Sequence, residues 1–127
     1  MFKTIINPEG NWEFWTDKQK QELAKTESNT SVGDKLVFEN DEFKVWSIHL
    51  PVGQKLPFHK HCLRYFWTAM SSGKSRSYYN DGSVKETEYE NGDTAYFHDL
   101  SSDHFFIHNL ENIGETVLIF STVEFLK

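Results

Sequence analysis

Cysteine occurs once in this chain of 127 residues, at Cys62, so no internal disulfide can form and the fold must rest on its apolar core. Proline, with 3 residues, and glycine, with 7, are also too few for collagen-like or proline-rich extended chains. Cations are in deficit: 13 Lys and Arg stand against 19 Asp and Glu, leaving a formal charge of −6. With no basic stripe to neutralise a phosphate backbone, no nucleic-acid partner is expected. No stretch approaches the ~20 consecutive apolar residues that span a bilayer, so no membrane partner is expected either. The opening "MFKTIINPEGNWEFW" has neither the cationic start nor the apolar run of a secretory signal, and the reading is a cytoplasmic, reduced protein.

Aromatic residues, by contrast, make up 16% of the chain, enough to build a core within one domain. Near the N-terminus, "TDKQKQELAKTES" carries Thr16 and Gln19 at capping-box spacing ahead of good helix formers, which predicts a short surface helix over about residues 17–25. Trp12, Phe14 and Trp15 precede it and are placed to cover a sheet face or to meet another subunit. From Val32 the pattern changes to short runs rich in β-branched and aromatic residues, separated by turn signals such as "NDE", "PVGQ", "SSG", "NDG" and "ENG". About eight strands at this spacing, with no helix between them, predict an all-β antiparallel sandwich or small barrel. Residues 1–31 read as an N-terminal extension with a short helix, and residues 32–127 as the β domain.

The stretch "GQKLPFHKHCLRYF" carries the chemistry. Side chains alternate faces along a strand, so His59 and His61 point the same way and one ion can reach both rings. Tyr65 has the same parity, and its hydroxyl is placed to bond a bound water or a substrate. Cys62 has the opposite parity and no base beside it, which makes it a packing residue. Within "HFFIHNLEN", His104 and His108 share a face if the strand is regular, so both are candidates to point inward. His49 and His98 read as surface or hydrogen-bonded histidines.

The full spacing from Gly53 through His59, His61 and Phe66 to Gly73 resembles the first motif of the cupin superfamily, with Phe66 in the position of the usual acid. Gly92, His108 and Asn112 are similar to its second motif, and the phrases "HCLRYFWTA" and "TVEFL" are similar to small single-domain bacterial cupins. The resemblance implies a jelly-roll β-barrel over residues 32–127 and a three-histidine metal site, His59, His61 and His108, that lacks the usual glutamate. His104 is then a rim residue or auxiliary ligand.

Three neutral imidazoles leave the full charge on a divalent ion, whether iron, zinc or nickel, and favour a substrate that brings its own negative charge. Arg64 and Arg76 are candidates to hold a carboxylate, although Arg64 has the wrong parity unless the strand bulges. The expected function is a small metal-dependent enzyme, dioxygenase-like or acting by Lewis-acid chemistry on a small anionic molecule, with Tyr65, His104 and Arg64 as catalytic candidates. The alternatives are a non-catalytic ligand-binding module and a metal-independent isomerase or epimerase that pairs His104 with Asp103 or Asp99. A homodimer is expected from the aromatic cluster and the apolar final strand.

Overall fold

A computed structural model of the chain describes residues 1–26 and 29–126. It contains β1 (Phe2–Asn7), α1 (Asp17–Ala24), β2 (Lys35–Glu39), β3 (Phe43–Leu50), β4 (Lys55–His61), β5 (Tyr65–Ala69), β6 (Gly73–Tyr78), β7 (Val84–Tyr89), β8 (Thr94–Phe97), β9 (Phe106–Asn112) and β10 (Leu118–Phe125). The strands form two five-stranded sheets, ordered β1-β7-β6-β9-β4 and β2-β3-β10-β5-β8, with antiparallel pairing throughout. The sheets pack face to face without closing, so the barrel expected from the sequence is an open sandwich. No helix among the described residues is long and apolar enough to cross a membrane.

Strict alternation builds the interior. Along β10, Leu118, Phe120, Thr122 and Glu124 are buried and their neighbours are only partly covered. Ile48, Leu50, Leu56, Ala69, Tyr89, Leu110, Leu118 and Phe120 fill the space between the sheets. At roughly 1.5–3 kcal/mol for each large apolar side chain removed from water, this cluster is the main force holding the sheets together.

Two elements differ from the sequence pattern. The run "FHKHCLRYFWTAM" reads as one strand, but the chain leaves the first sheet after His61 and enters the second at Tyr65. The N-terminal extension also supplies a strand, β1, which pairs with β7 from Phe2↔Glu88 to Asn7↔Val84. A second core cluster lies on the outer face of the first sheet, where Trp15 packs over Phe58, Tyr78, Val84 and Ile107. Its indole Nε1 donates to the Gly82 carbonyl at 3.0 Å. Trp12 and Phe14 remain 38% and 65% exposed, so of the three aromatics Trp15 is the one that covers the sheet. The helix that follows keeps the capping box, with Gln19 N donating to Thr16 Oγ1 and Thr16 N donating to Gln19 Oε1.

Candidate metal centre

A β-bulge decides which way the histidines of β4 point. In the ladder with β9, Leu56 faces Leu110 and His59 faces His108, so three steps on β4 answer two on β9. The extra residue falls at Pro57–Phe58, where proline's missing N–H costs the ladder nothing. Phe58 turns outward into the Trp15 cluster, while Leu56, His59 and His61 turn inward. The bulge carbonyls find side-chain partners: Phe58 O accepts from Asn29 Nδ2 at 2.8 Å, and Pro57 O lies 2.8 Å from His59 Nδ1. The proton of His59 therefore sits on Nδ1, and its Nε2 keeps a free lone pair.

His108 comes from the neighbouring strand and completes a triangle, with ring centroids 4.7, 4.8 and 5.0 Å apart. The nitrogens that the three residues offer lie within 4.8 Å of one another, close enough for the group to hold one metal ion. His61 Nε2 and His108 Nε2 are 3.1 Å apart. Two imidazole nitrogens at about 2.1 Å from a shared ion are separated by about 3.0–3.4 Å, so this pair already has ligand spacing. The Nδ1 atoms of His61 and His108 are buried without a hydrogen-bond partner. Burying polar nitrogens in this state costs about 1–3 kcal/mol each, and a cation held by the opposite ring nitrogens offers the imidazoles a compensating interaction.

Burial also sets their charge. It depresses His59 to a pKa of about 4, against the opposing pull of the Pro57 carbonyl. His61 lies well below the ordinary histidine range through burial and then the neighbouring His59 and His108. His108 does so through burial, His59, Lys3 and Lys85. All three are neutral at pH 7, the state that ligates metal.

The histidines open on a cavity of about 70 Å³. A drug-sized ligand needs roughly 300 Å³ or more, so this space suits a small molecule and not a drug-sized one. Ile48, Leu56, Trp67, Leu110 and Phe120 form its apolar side, and Lys3, Ser77, Tyr79 and Thr87 its polar side. No carboxylate lines it among the described residues.

The other sequence candidates separate here. Tyr65 lies in the cavity wall, but it reaches the site from the opposite sheet and not along the histidine strand. Its ring is stacked between His61, at 4.2 Å, and Phe97, at 4.8 Å. Burial first, then Tyr79, Glu124 and Tyr89, push its hydroxyl well above the ordinary tyrosine range, so it is a hydrogen-bond donor at neutral pH. Phe66 corrects the motif reading. It faces the outside of the second sheet, 6.0 Å from Phe125, and the inward position belongs to Tyr65.

His104 is also displaced, because β9 begins at Phe106 and His104 lies in the preceding turn with a 66% exposed side chain. Its Nδ1 is 3.0 Å from the Asp99 carbonyl, outside the cavity wall. Arg64 is exposed in the β4–β5 connection and does not line the cavity. Arg76 is bound through Nε and Nη2 to Glu86 Oε2, at 2.9 and 2.7 Å. Asn112, the last residue of the second motif, donates from Nδ2 to the Leu50 and Thr116 carbonyls and accepts from Gly114 N, so it ties down a turn. Gly53 and Gly92, which open the two motifs, have φ of +80° and +98°, a region where a side chain would strain the turn.

Pattern reading missed one buried residue, Glu124, and one solvent-exposed residue of the cavity lining, Lys3. Glu124 is 3% exposed on the inner face opposite Tyr65, and Trp46 Nε1 donates to its Oε1 at 2.6 Å. The alternation of "TVLIFSTVEF" was the available signal. Lys3 enters through β1, and no sequence motif marked it.

No family model matches the sequence, and no curated protein matches it. Solved structures do resemble it. A cupin domain from Bordetella pertussis Tohama I is 22% identical and superimposes with a TM-score of 0.62, over 73% of this chain and 91% of that one. An RmlC-like cupin family protein with a double-stranded β-helix fold, from Methanocaldococcus jannaschii, is 18% identical with a TM-score of 0.57, over 72% and 76%. A conserved protein with a double-stranded β-helix domain, from Klebsiella pneumoniae, is 21% identical with a TM-score of 0.55, over 87% of each chain. With two facing antiparallel sheets and three histidines gathered between them, this chain has the cupin fold.

Proposed function

We propose that this protein is a metal-dependent enzyme acting on a small organic anion. The observation that carries the reading is the convergence of His59, His61 and His108, with two Nε2 atoms 3.1 Å apart on the wall of a small cavity. A divalent ion held there supplies Lewis-acid chemistry, or oxygen chemistry where the ion is iron. The imidazoles leave its charge uncompensated, and among the described residues no carboxylate lines the cavity to repel an anion. His59 is oriented by the Pro57 carbonyl, and Tyr65 is positioned by ring stacking to donate its hydroxyl proton to a ligand oxygen. The apolar side of the cavity restricts water around the reacting group.

Elemental analysis of tag-free protein tests this directly. Near-stoichiometric iron favours oxygen chemistry, and zinc or nickel favours the Lewis-acid route. Alanine at His59, His61 or His108 should each reduce metal content at least tenfold while the circular dichroism spectrum stays β-rich. Undiminished metal in all three variants would sink the proposal. The non-catalytic binding module draws support from the absence, among the described residues, of a carboxylate acid or base in the lining. It is distinguished by a protein that binds metal and anion but turns over no member of an oxygen-consumption or hydrolysis panel.

A further inference from the structure

The cavity has a cationic end that the metal reading leaves unused. Across the first sheet the strands run β4, β9, β6, β7, β1, and the inward side chains change in that order from His59 and His61, through His108, to Ser77 and Tyr79, Thr87 and Lys3. Lys3 stands directly opposite Thr87 in the β1–β7 ladder, so the two share the inner face. Lys85 is on the same face two residues before Thr87, with its Nζ 4.7 Å from the centroid of the Tyr79 ring. Among the described residues no carboxylate comes within ion-pair reach of Lys3 or Lys85, whereas Lys74 and Arg76 on the opposite face are both committed to Glu86. Partial desolvation and then the like charge of Lys85 lower the pKa of Lys3, whose side chain stays solvent-exposed, and an anion placed between the two lysines would offset their repulsion.

We infer that Lys3, assisted by Lys85, is a substrate-binding residue that receives the second anionic group of a short dianion whose first group faces the three histidines. The ligand class is a short-chain dicarboxylate or its equivalent. Its first group meets the ion, its chain lies along the apolar side, and its second group meets Lys3 with the hydroxyls of Thr87 and Ser77 beside it. This deepens the metal-centre reading and rests on it. Arg64 and Arg76 were the sequence's candidates to hold a carboxylate, and neither lines the cavity. The N-terminal strand thus completes the binding wall, since β7 would otherwise be the edge of the sheet.

The experiment is calorimetric titration of zinc-loaded protein, without an N-terminal tag, with acetate and with succinate. The parent should bind succinate at least about tenfold more tightly than acetate. Lys3→Met should remove that margin and leave zinc content and acetate affinity unchanged, Lys3→Arg should retain most of it, and Lys85→Met should reduce it less than Lys3→Met. A parent without the margin, or a Lys3→Met protein that keeps it, overturns the inference and leaves the metal centre standing. If the parent takes up no zinc, the metal reading fails. Lys3 is then judged by amide shifts of Lys3 and Thr87 on adding succinate, which support the assignment if Lys3→Met abolishes them and overturn it if they persist.

Discussion

A neutral imidazole binds metal and a protonated one does not, so the burial of His59, His61 and His108 has a pH consequence. In the unfolded chain each titrates near 6.5, whereas in the fold burial lowers His59 to about 4 and holds His61 and His108 well below the ordinary histidine range. Between these values the unfolded state binds more protons than the native one, so stability is fully present above about pH 6.5 and is lost as the pH falls towards 4. His59 alone accounts for on the order of 3 kcal/mol of that loss. Urea midpoints of metal-stripped protein should fall steeply from pH 6.5 to 4.5, and the slope should shrink in a His59→Gln variant. A flat profile in the parent would show that the imidazoles are not held neutral. Tyr65 and Phe66 provide a second contrast at this scale. Tyr65→Phe should keep the metal, because the stacking on His61 survives. Tyr65→Ala should weaken metal affinity about tenfold, as is common when the support of a ligand is removed. Phe66→Ala should leave it unchanged, and metal content measured after dialysis against a weak chelator separates the three.

At the scale of the element, the bulge at Pro57–Phe58 explains both what the sequence revealed about the site and what it hid. His59 and His61 are one residue apart, and any extended strand puts them on one face, so their pairing was legible from spacing alone. The inward Tyr65 was anticipated from parity along a continuous strand. In the structure the strand ends after His61 and the chain crosses to the other sheet, so a correct placement rested on the wrong geometry. His104 failed for the converse reason: its parity holds only if β9 extends that far, and Ser101 instead receives the His104 N–H in a turn. Trip points of this kind are where hydrogen bonds local to a loop compete with the ladder. Trp15, which backs the bulge through a stacked contact with Phe58 at 5.8 Å, tests whether the outer cluster and the inner site are separable. Trp15→Ala should cost about 3–5 kcal/mol by denaturation. Folded Trp15→Ala protein should still load metal, because Phe58 and the histidines lie on opposite faces of β4. Loss of metal from the folded variant would show that the bulge depends on the indole above it.

For the molecule as a whole, the all-β class was legible because alternation and turn signals repeat from Val32 onward. The strand at Phe2–Asn7 was not, because its pattern of exposed residues carries no core-facing stripe. That strand leaves Phe2 and Ile5 each 65% exposed at one sheet edge, and Val37 and Phe38 are 49% and 53% exposed on β2, the edge of the other sheet. Unpaired backbone along an apolar edge invites a partner strand, and a second copy of the chain is the commonest solution. A homodimer is therefore expected by light scattering at about 10 µM, and a monomeric parent would refute it. Ile5→Lys and Val37→Lys assign the edge, since the one that gives a monomer marks the strand that pairs. The outcome bears on the cavity as well. If β1 is the paired strand, the partner holds Lys3 in register against Thr87, and the monomeric Ile5→Lys protein should lose part of its succinate margin as well as its partner. A Val37→Lys monomer should keep that margin, because β2 contributes no residue to the cavity wall.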